Sequence, residues 1–457
     1  MNSVLAHPVV TLPLRVLLVL VLVLTHVHCG REQRESDLPV SQQESRHVQS
    51  WVREANVLRI ELAAQADGMV FRRLRQRLDD FHAVGFNVLW LSSIFPSSPL
   101  SQEPTSADPF PTEDYLAINE NFGTLDDFKN LLVEASRRRM RILIDLQARY
   151  TAWDSKLLRE HPDWFRTNSE GAIVSPTPEL SDVADLNYRH HELRKYMMEV
   201  MKYWVREVGV DGFACLDADL VPLEFWIRAR KEVEKIKPIL LIAQSDRGEL
   251  HREAFDATFS FAMSDLLSNA DGASFLAQTL SYETERFPRN ALRLRLQGPL
   301  SPFPQRSHSA PEDTNVKRIA GVLAYTLPGN PVVVASDASL FDPLGTERQN
   351  FPLYAALSKL RGQYSAVRSG ECRVLTLSES SSIIAYERYL PGESVLVLLN
   401  NSSEYLPLSI QLPPQFSGTV LEYFSGLSLP TTSGVLKTAC PAYSAKIFVR
   451  TSKGTSS

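Results

Sequence analysis

From residue 51 to about residue 336, near-continuous apolar runs alternate with amphipathic stretches, and this pattern constrains the fold more than any other feature of the chain. "WVREANVLRIEL", "FNVLWLSSI", "MRILIDLQ", "VDGFACL", "PILLIAQ" and "PVVVAS" read as strands, with "DATFSFAM" and "ALRLRLQ" as weaker ones. Between them, "FRRLRQRLDDFHAVG" carries Leu74, Leu78 and Phe81 at helical spacing. "GTLDDFKNLLVEASRRR" opens with Thr124 and Asp127 in a capping-box pattern. "HHELRKYMMEVMKYWVREVG", "LEFWIRARKEVEKI" and "NVKRIAGVLAYTL" complete the helical series. Strands this apolar must be covered on both faces, which means a parallel sheet packed by helices. Eight of them over roughly 300 residues fit a (β/α)8 barrel better than an open sheet.

Two stretches depart from the alternation. Residues 150–190 are rich in Pro, Asp and aromatics and form a long excursion after the third strand, a length that usually serves function. After about residue 368 short alternating strands ("RVLTLSES", "SIIAYERYL", "SVLVLLNN", "LPLSIQL", "TVLEYF", "AKIFVR") predict a small antiparallel β domain. The expected layout is an export segment at 1–29, a polar stalk at 30–48, a barrel at 49–367 and a β domain at 368–452.

A net charge of −5 and the absence of basic tracts or zinc-type Cys/His spacing exclude nucleic-acid binding of the usual kinds. The N-terminal "LPLRVLLVLVLVLTHVHCG" has one Arg and about a dozen apolar residues, a signal-peptide length, with Val27, Cys29 and Gly30 as a small-residue cleavage site. The alternative is a type II signal anchor. Pro13, Arg15 and a tail without Lys or Arg weigh against it. Export makes "NNSS" a pair of glycosylation acceptors, Asn400 and Asn401. It also allows Cys372 and Cys440 to form a disulfide, the alternative being two buried thiols. Cys215, inside an apolar strand, is expected to be inert core.

The segments "GFNVLWLSSIFPSSP", "DYLAINENFGTLDDFKNLLVEASRRRMRILIDL", "TAWDSKLLREHPDWF", "DVADLNYRHHELRKYMMEVMKYWVREVGVDGF", "KIKPILLIAQS" and "YTLPGNPVVV" resemble, in order and spacing, successive landmarks of the α-amylase family of glycoside hydrolases. The resemblance spans roughly residues 51–450. It implies chemistry by two carboxylates across a glycosidic bond, one attacking the anomeric carbon and one donating a proton. Against the family's Gly-Phe-Arg-x-Asp, this chain keeps Gly212 and Phe213 but has Ala214 for the Arg and Leu216 for the nucleophilic Asp. The proton-donating Glu is Gln244. The third carboxylate belongs within 294–302, which holds neither His nor Asp. Asp145 remains, but the Asn and His that follow it in the family, which help bind calcium and substrate, are Arg149 and Tyr150, so the calcium site is expected to be lost and no cofactor is expected. Phe110 stands for the Tyr that stacks on sugar.

These replacements predict an exported pseudoenzyme that binds carbohydrate or protein. Asp217 is expected to point outward toward the helices, Asp219 to cap the next helix, Asp246 to be a solvated acid, and Asp145 to pair with Arg149. A displaced carboxylate among Asp246, Asp217 and Asp219 would instead keep hydrolase activity. Trp153, Trp164 and Phe165 read as loop packing with stacking on sugar as the alternative, and adjacent His190 and His191 do not face each other as metal ligands would. A second resemblance is to the heavy chains of heteromeric amino-acid transporters. They look like amylases without catalytic residues and are membrane-anchored; that reading makes Cys29 the bridge to a membrane-protein partner.

Overall fold

The computed structural model describes residues 38–62, 67–92, 94–98, 111–259, 266–269, 271–297, 314–342, 345–375, 377, 382–416 and 418–450. The export segment with Cys29, and Phe110, lie outside the described residues. Among those described, no helix is long and apolar enough to cross a membrane.

The first ten strands are β1 (Val57–Glu61), β2 (Val88–Leu91), β3 (Arg141–Gln147), the short pair β4 (Tyr150–Ala152) and β5 (Val183–Asp185), then β6 (Gly212–Leu216), β7 (Leu240–Gln244), β8 (Ala257–Phe259), β9 (Leu292–Leu296) and β10 (Asn330–Ser336). All but β4 and β5 close into a parallel barrel in the order β1-β2-β3-β6-β7-β8-β9-β10, with β10 returning to β1. Side chains alternate along a strand, so one set fills the interior: Val57, Val88, Trp90, Leu143, Ala214, Leu240, Ile242, Ala257, Phe259, Leu292, Leu294 and Val332. The other set meets the surrounding helices. Helix Leu125–Arg137 begins with the expected box: the Thr124 hydroxyl accepts from Asp127 N–H (3.1 Å), and Asp127 accepts from Thr124 N–H (3.2 Å). Gly212 is fixed by proximity, because a Cβ there would lie 1.9 Å from the Leu240 carbonyl oxygen.

The stalk expectation needs correction. Residues 38–48 dock on the barrel beneath the strands' N-terminal ends. Ser45 N–H donates to Arg289 O (3.0 Å), Arg46 N–H to His251 O (2.9 Å) and Arg289 N–H to Gln43 O (2.8 Å). The Arg46 guanidinium bonds Asp256 and Glu234, and Val48, Val52 and Ala55 plug the barrel floor. A polar composition suggested solvation; here the polar groups find partners in the fold instead.

After three helices ending at Ser369 come β11 (Glu371–Leu375), β12 (Ile383–Leu390), β13 (Glu393–Asn400), β14 (Leu406–Gln411), β15 (Thr419–Glu422), β16 (Ser428–Pro430), β17 (Val435–Cys440) and β18 (Ser444–Arg450). They form a six-stranded sheet, β11-β12-β13-β18-β15-β16, and the pair β14-β17, antiparallel throughout. One face of the large sheet packs on the barrel helices and the other on the β14-β17 pair. Cys372 lies on the first face and Cys440 on the second, so of the two alternatives the free thiols hold and no disulfide joins them; Cys215 is also free. The glycosylation expectation also fails at Asn400. Its side chain is fully buried, and its amide donates to the carbonyls of Glu404, Cys440 and Pro441. Asn401 is half-buried and donates to Leu267 O (2.6 Å).

Candidate functional site

Parallel closure brings the C-terminal ends of all eight strands to one mouth. The inward side of β6 carries Ala214 and Leu216, and that of β7 carries Ile242 and Gln244. Leu216 is half-buried and Gln244 buried. Next in the chain, Asp217 adopts a left-handed conformation (φ 47°, ψ 36°), which Asp tolerates better than most residues. This kink turns its carboxylate into the mouth, not outward as expected. Asp217 Oδ2 accepts from Gln147 Nε2 (3.1 Å), and Asp217 N–H donates to Gln244 Oε1 (3.2 Å). Gln147 Oε1 in turn accepts from Arg149 N–H (3.0 Å). A chain of neutral amides around one aspartate therefore ties the ends of β3, β6 and β7 together.

Below it lies a network that the reading of the sequence missed. Asp145 Oδ1 accepts from Trp90 Nε1 (2.6 Å). Asp145 Oδ2 lies 3.6 Å from Arg59 Nη2, while Arg59 Nη1 donates to Glu61 Oε1 (2.5 Å). The Arg59 guanidinium sits over the Trp90 ring, 5.0 Å from its centroid. Burial pushes the Asp145 carboxyl up to about 6, against the opposing pull of Arg59 and of the Trp90 hydrogen bond. Asp145 therefore pairs with β1, not with Arg149. Arg149 lies 3.6 Å from Asp185. Strand parity was the available signal: in "VLRIE" the two charged residues share the inward side with Val57.

Asp219 does not cap the next helix as expected, whereas Asp246 is exposed as expected. Asp219 sits in the turn Ala218–Leu220, and helix Leu223–Glu234 has no side-chain cap. Burial raises the Asp219 carboxyl above its usual range, with Arg247 and Arg149 opposing and Asp246 reinforcing. Asp246 is about half exposed, but it is held by Arg293 Nη2 at 2.9 Å. On β9, Leu292 and Leu294 face inward; Arg293 and Arg295 face the helices and both reach Glu283. Within 294–302, the described residues 294–297 add no acid to the mouth, and residues 298–302 lie outside the described set.

In the excursion, Tyr150 is fully buried against Leu180 and Val183, and Trp164 and Phe165 are core. Trp153 is 37% exposed and donates to Ser181 O (2.9 Å), which leaves part of its ring available. His191 contacts its neighbour Glu192. Among the described residues no group of three or more His, Cys, Asp or Glu side chains could hold a metal. Arg149, at the position the resemblance gives to the family's Asn, lies 3.6 Å from Asp185.

The sequence model of the α-amylase catalytic domain matches residues 71–170. A maltogenic α-amylase of Thermotoga neapolitana superposes with a TM-score of 0.73 at 23% identity, covering 87% of this chain and 99% of that one. In fold, and over residues 71–170 in sequence, the chain is similar to the α-amylase catalytic domain. Among curated relatives, a cyclomaltodextrinase of Geobacillus thermopakistaniensis is 23% identical over 381 residues, 72% of this chain. Neopullulanase 2 of Thermoactinomyces vulgaris is 24% identical over 422 residues, 81% of this chain and 69% of its own length. The chain spans 61% of the length of the cyclomaltodextrinase.

Proposed function

We propose that this chain is an exported α-amylase-like pseudoenzyme that binds a carbohydrate in the barrel mouth without cleaving it. One observation carries the reading: the inward strand ends that the family resemblance assigns to nucleophile and proton donor hold Leu216 and Gln244. Leucine has no lone pair to form a glycosyl-enzyme bond, and an amide gives up no proton near neutral pH. Losing one member of a cooperating set costs on the order of 10⁴–10⁶ in rate. Asp145 does not substitute, since it is buried within the barrel with one oxygen bonded by Trp90 and the Arg59 guanidinium 3.6 Å from the other. What remains suits hydroxyl recognition: the amides Gln147 and Gln244, the Asp217 carboxylate and the partly exposed Trp153 ring. A solved relative, the α-amylase of Geobacillus thermoleovorans, was crystallised with acarbose. Calorimetric titration with maltotriose tests the reading; saturable binding without release of glucose supports it, and a flat titration at millimolar sugar removes it. Export rests on the N-terminal sequence alone, and N-terminal sequencing of the secreted product, expected to start near Gly30, tests it.

A second reading, hydrolysis by a displaced acid, draws on Asp219 and Asp246, whose charges repel and raise the Asp219 carboxyl further. It requires turnover of an aryl α-glucoside that vanishes on Asp246→Asn.

A further inference from the structure

Arg59 is short of partners for a buried guanidinium. It is 9% exposed on the inward side of β1. Of its five N–H groups, one makes a hydrogen bond among the described residues, to Glu61. The contact with Asp145, at 3.6 Å, is longer than a hydrogen bond, and Nε has no partner among the described residues. Arg230, 2% exposed, is more fully bonded: Nε bonds Glu234, Nη1 bonds Ala254 O and Asp256, and Nη2 bonds Asp256. Arg59 differs because its one firm acceptor, Glu61, is the last residue of β1 and its side chain is 50% exposed. Stacking on Trp90 meanwhile holds the guanidinium plane in place.

We propose that Arg59 anchors an anionic group, a carboxylate or a phosphate, carried by a small sugar that enters the mouth, and that Glu61 competes with this group for the guanidinium. A planar fork that lacks acceptors matches either oxyanion in a bidentate manner. Glu61, at the solvent edge, turns away without breaking any buried contact except that with Arg59. The proposal rests on reading the mouth as a sugar site, and it goes further by specifying an acidic sugar.

The test is calorimetric titration of the full chain, of Glu61→Gln and of Arg59→Met with D-glucose, D-glucuronate, D-glucose 6-phosphate, inorganic phosphate and maltotriose. The charged sugars are expected to bind more tightly than glucose, and Glu61→Gln is expected to raise that preference about tenfold by removing the competitor. Arg59→Met is expected to bring the preference to about one. Inorganic phosphate and glucuronate as separate arms distinguish a phosphate ligand from a carboxylate one. Because Glu61 lies at the surface, its variant remains informative even if Arg59→Met fails to fold. Equal affinity of Glu61→Gln for glucose and both charged sugars overturns the proposal while maltotriose binding leaves the sugar reading intact. Absence of binding by every probe overturns both.

Discussion

Asp145 is predicted to reverse the usual pH dependence of a paired aspartate. A carboxylate stabilised by an arginine normally has a depressed value, and its contribution is lost as pH falls. Here burial outweighs Arg59 and Trp90, and the folded value is about 6 against 3.8 for the unstructured group. The folded chain therefore binds this proton more tightly than the unfolded chain. The contribution is fully present below the unfolded value and is lost as pH rises through about 6. Between about pH 4.5 and about pH 7.5 the loss integrates to about 2 kcal/mol. Asp145→Asn removes the titration while keeping the shape of the side chain. Whatever constant offset the amide introduces, the stability difference, variant minus wild type, should be more positive at the higher pH by about that amount. Urea unfolding of both proteins at the two pH values measures it, given unchanged m-values. A difference that is flat, or that runs the other way, refutes the argument that desolvation dominates this site.

Other outcomes follow from local geometry. Arg139 ends helix Leu125–Arg137 in a left-handed conformation (φ 58°), with Met140 N–H on Ala135 O and Arg139 N–H on Ser136 O, so Arg139→Gly should stabilise by about 1 kcal/mol in urea unfolding. At the other end of that helix, Thr124→Ala should cost about 1 kcal/mol in the same assay, since it removes the cap on Asp127 N–H. Burial holds the Cys372 and Cys440 thiols up at about 11 and pushes Cys215 well above the usual thiol range. Ellman's reagent should therefore find these three thiols unreactive in the native chain and all titratable in urea without reductant; two missing thiols would mean a disulfide after all.

The barrel was legible because its strands are apolar on both faces, and the β domain because its strands alternate. β9 read as weak for a physical reason. "LRLRL" imitates a half-exposed strand, yet Arg293 and Arg295 are buried and paired with Glu283, Arg293 with Asp246 as well. Leu216 and Gln244 were picked out by their resemblance to the family's motif positions, and the structure places both on inward strand ends. Asp217 was misread because period-two alternation stops at the strand end, where the backbone turns left-handed. The partner of Asp145 was missed because it lies on β1, far away in sequence and adjacent only once the barrel closes. The docking of residues 38–48 was hidden for the same reason, as Arg46 meets Asp256 across 210 positions.

The central claim is that this mouth lacks a working pair of acids. The most direct measurement is glucose release from maltotriose and from an aryl α-glucoside by the purified wild-type chain, set against a heat-treated sample and the double variant Leu216→Asp, Gln244→Glu. The account predicts no release above the heated sample from the wild type. Wild-type turnover that survives purification and vanishes on Asp246→Asn would contradict it.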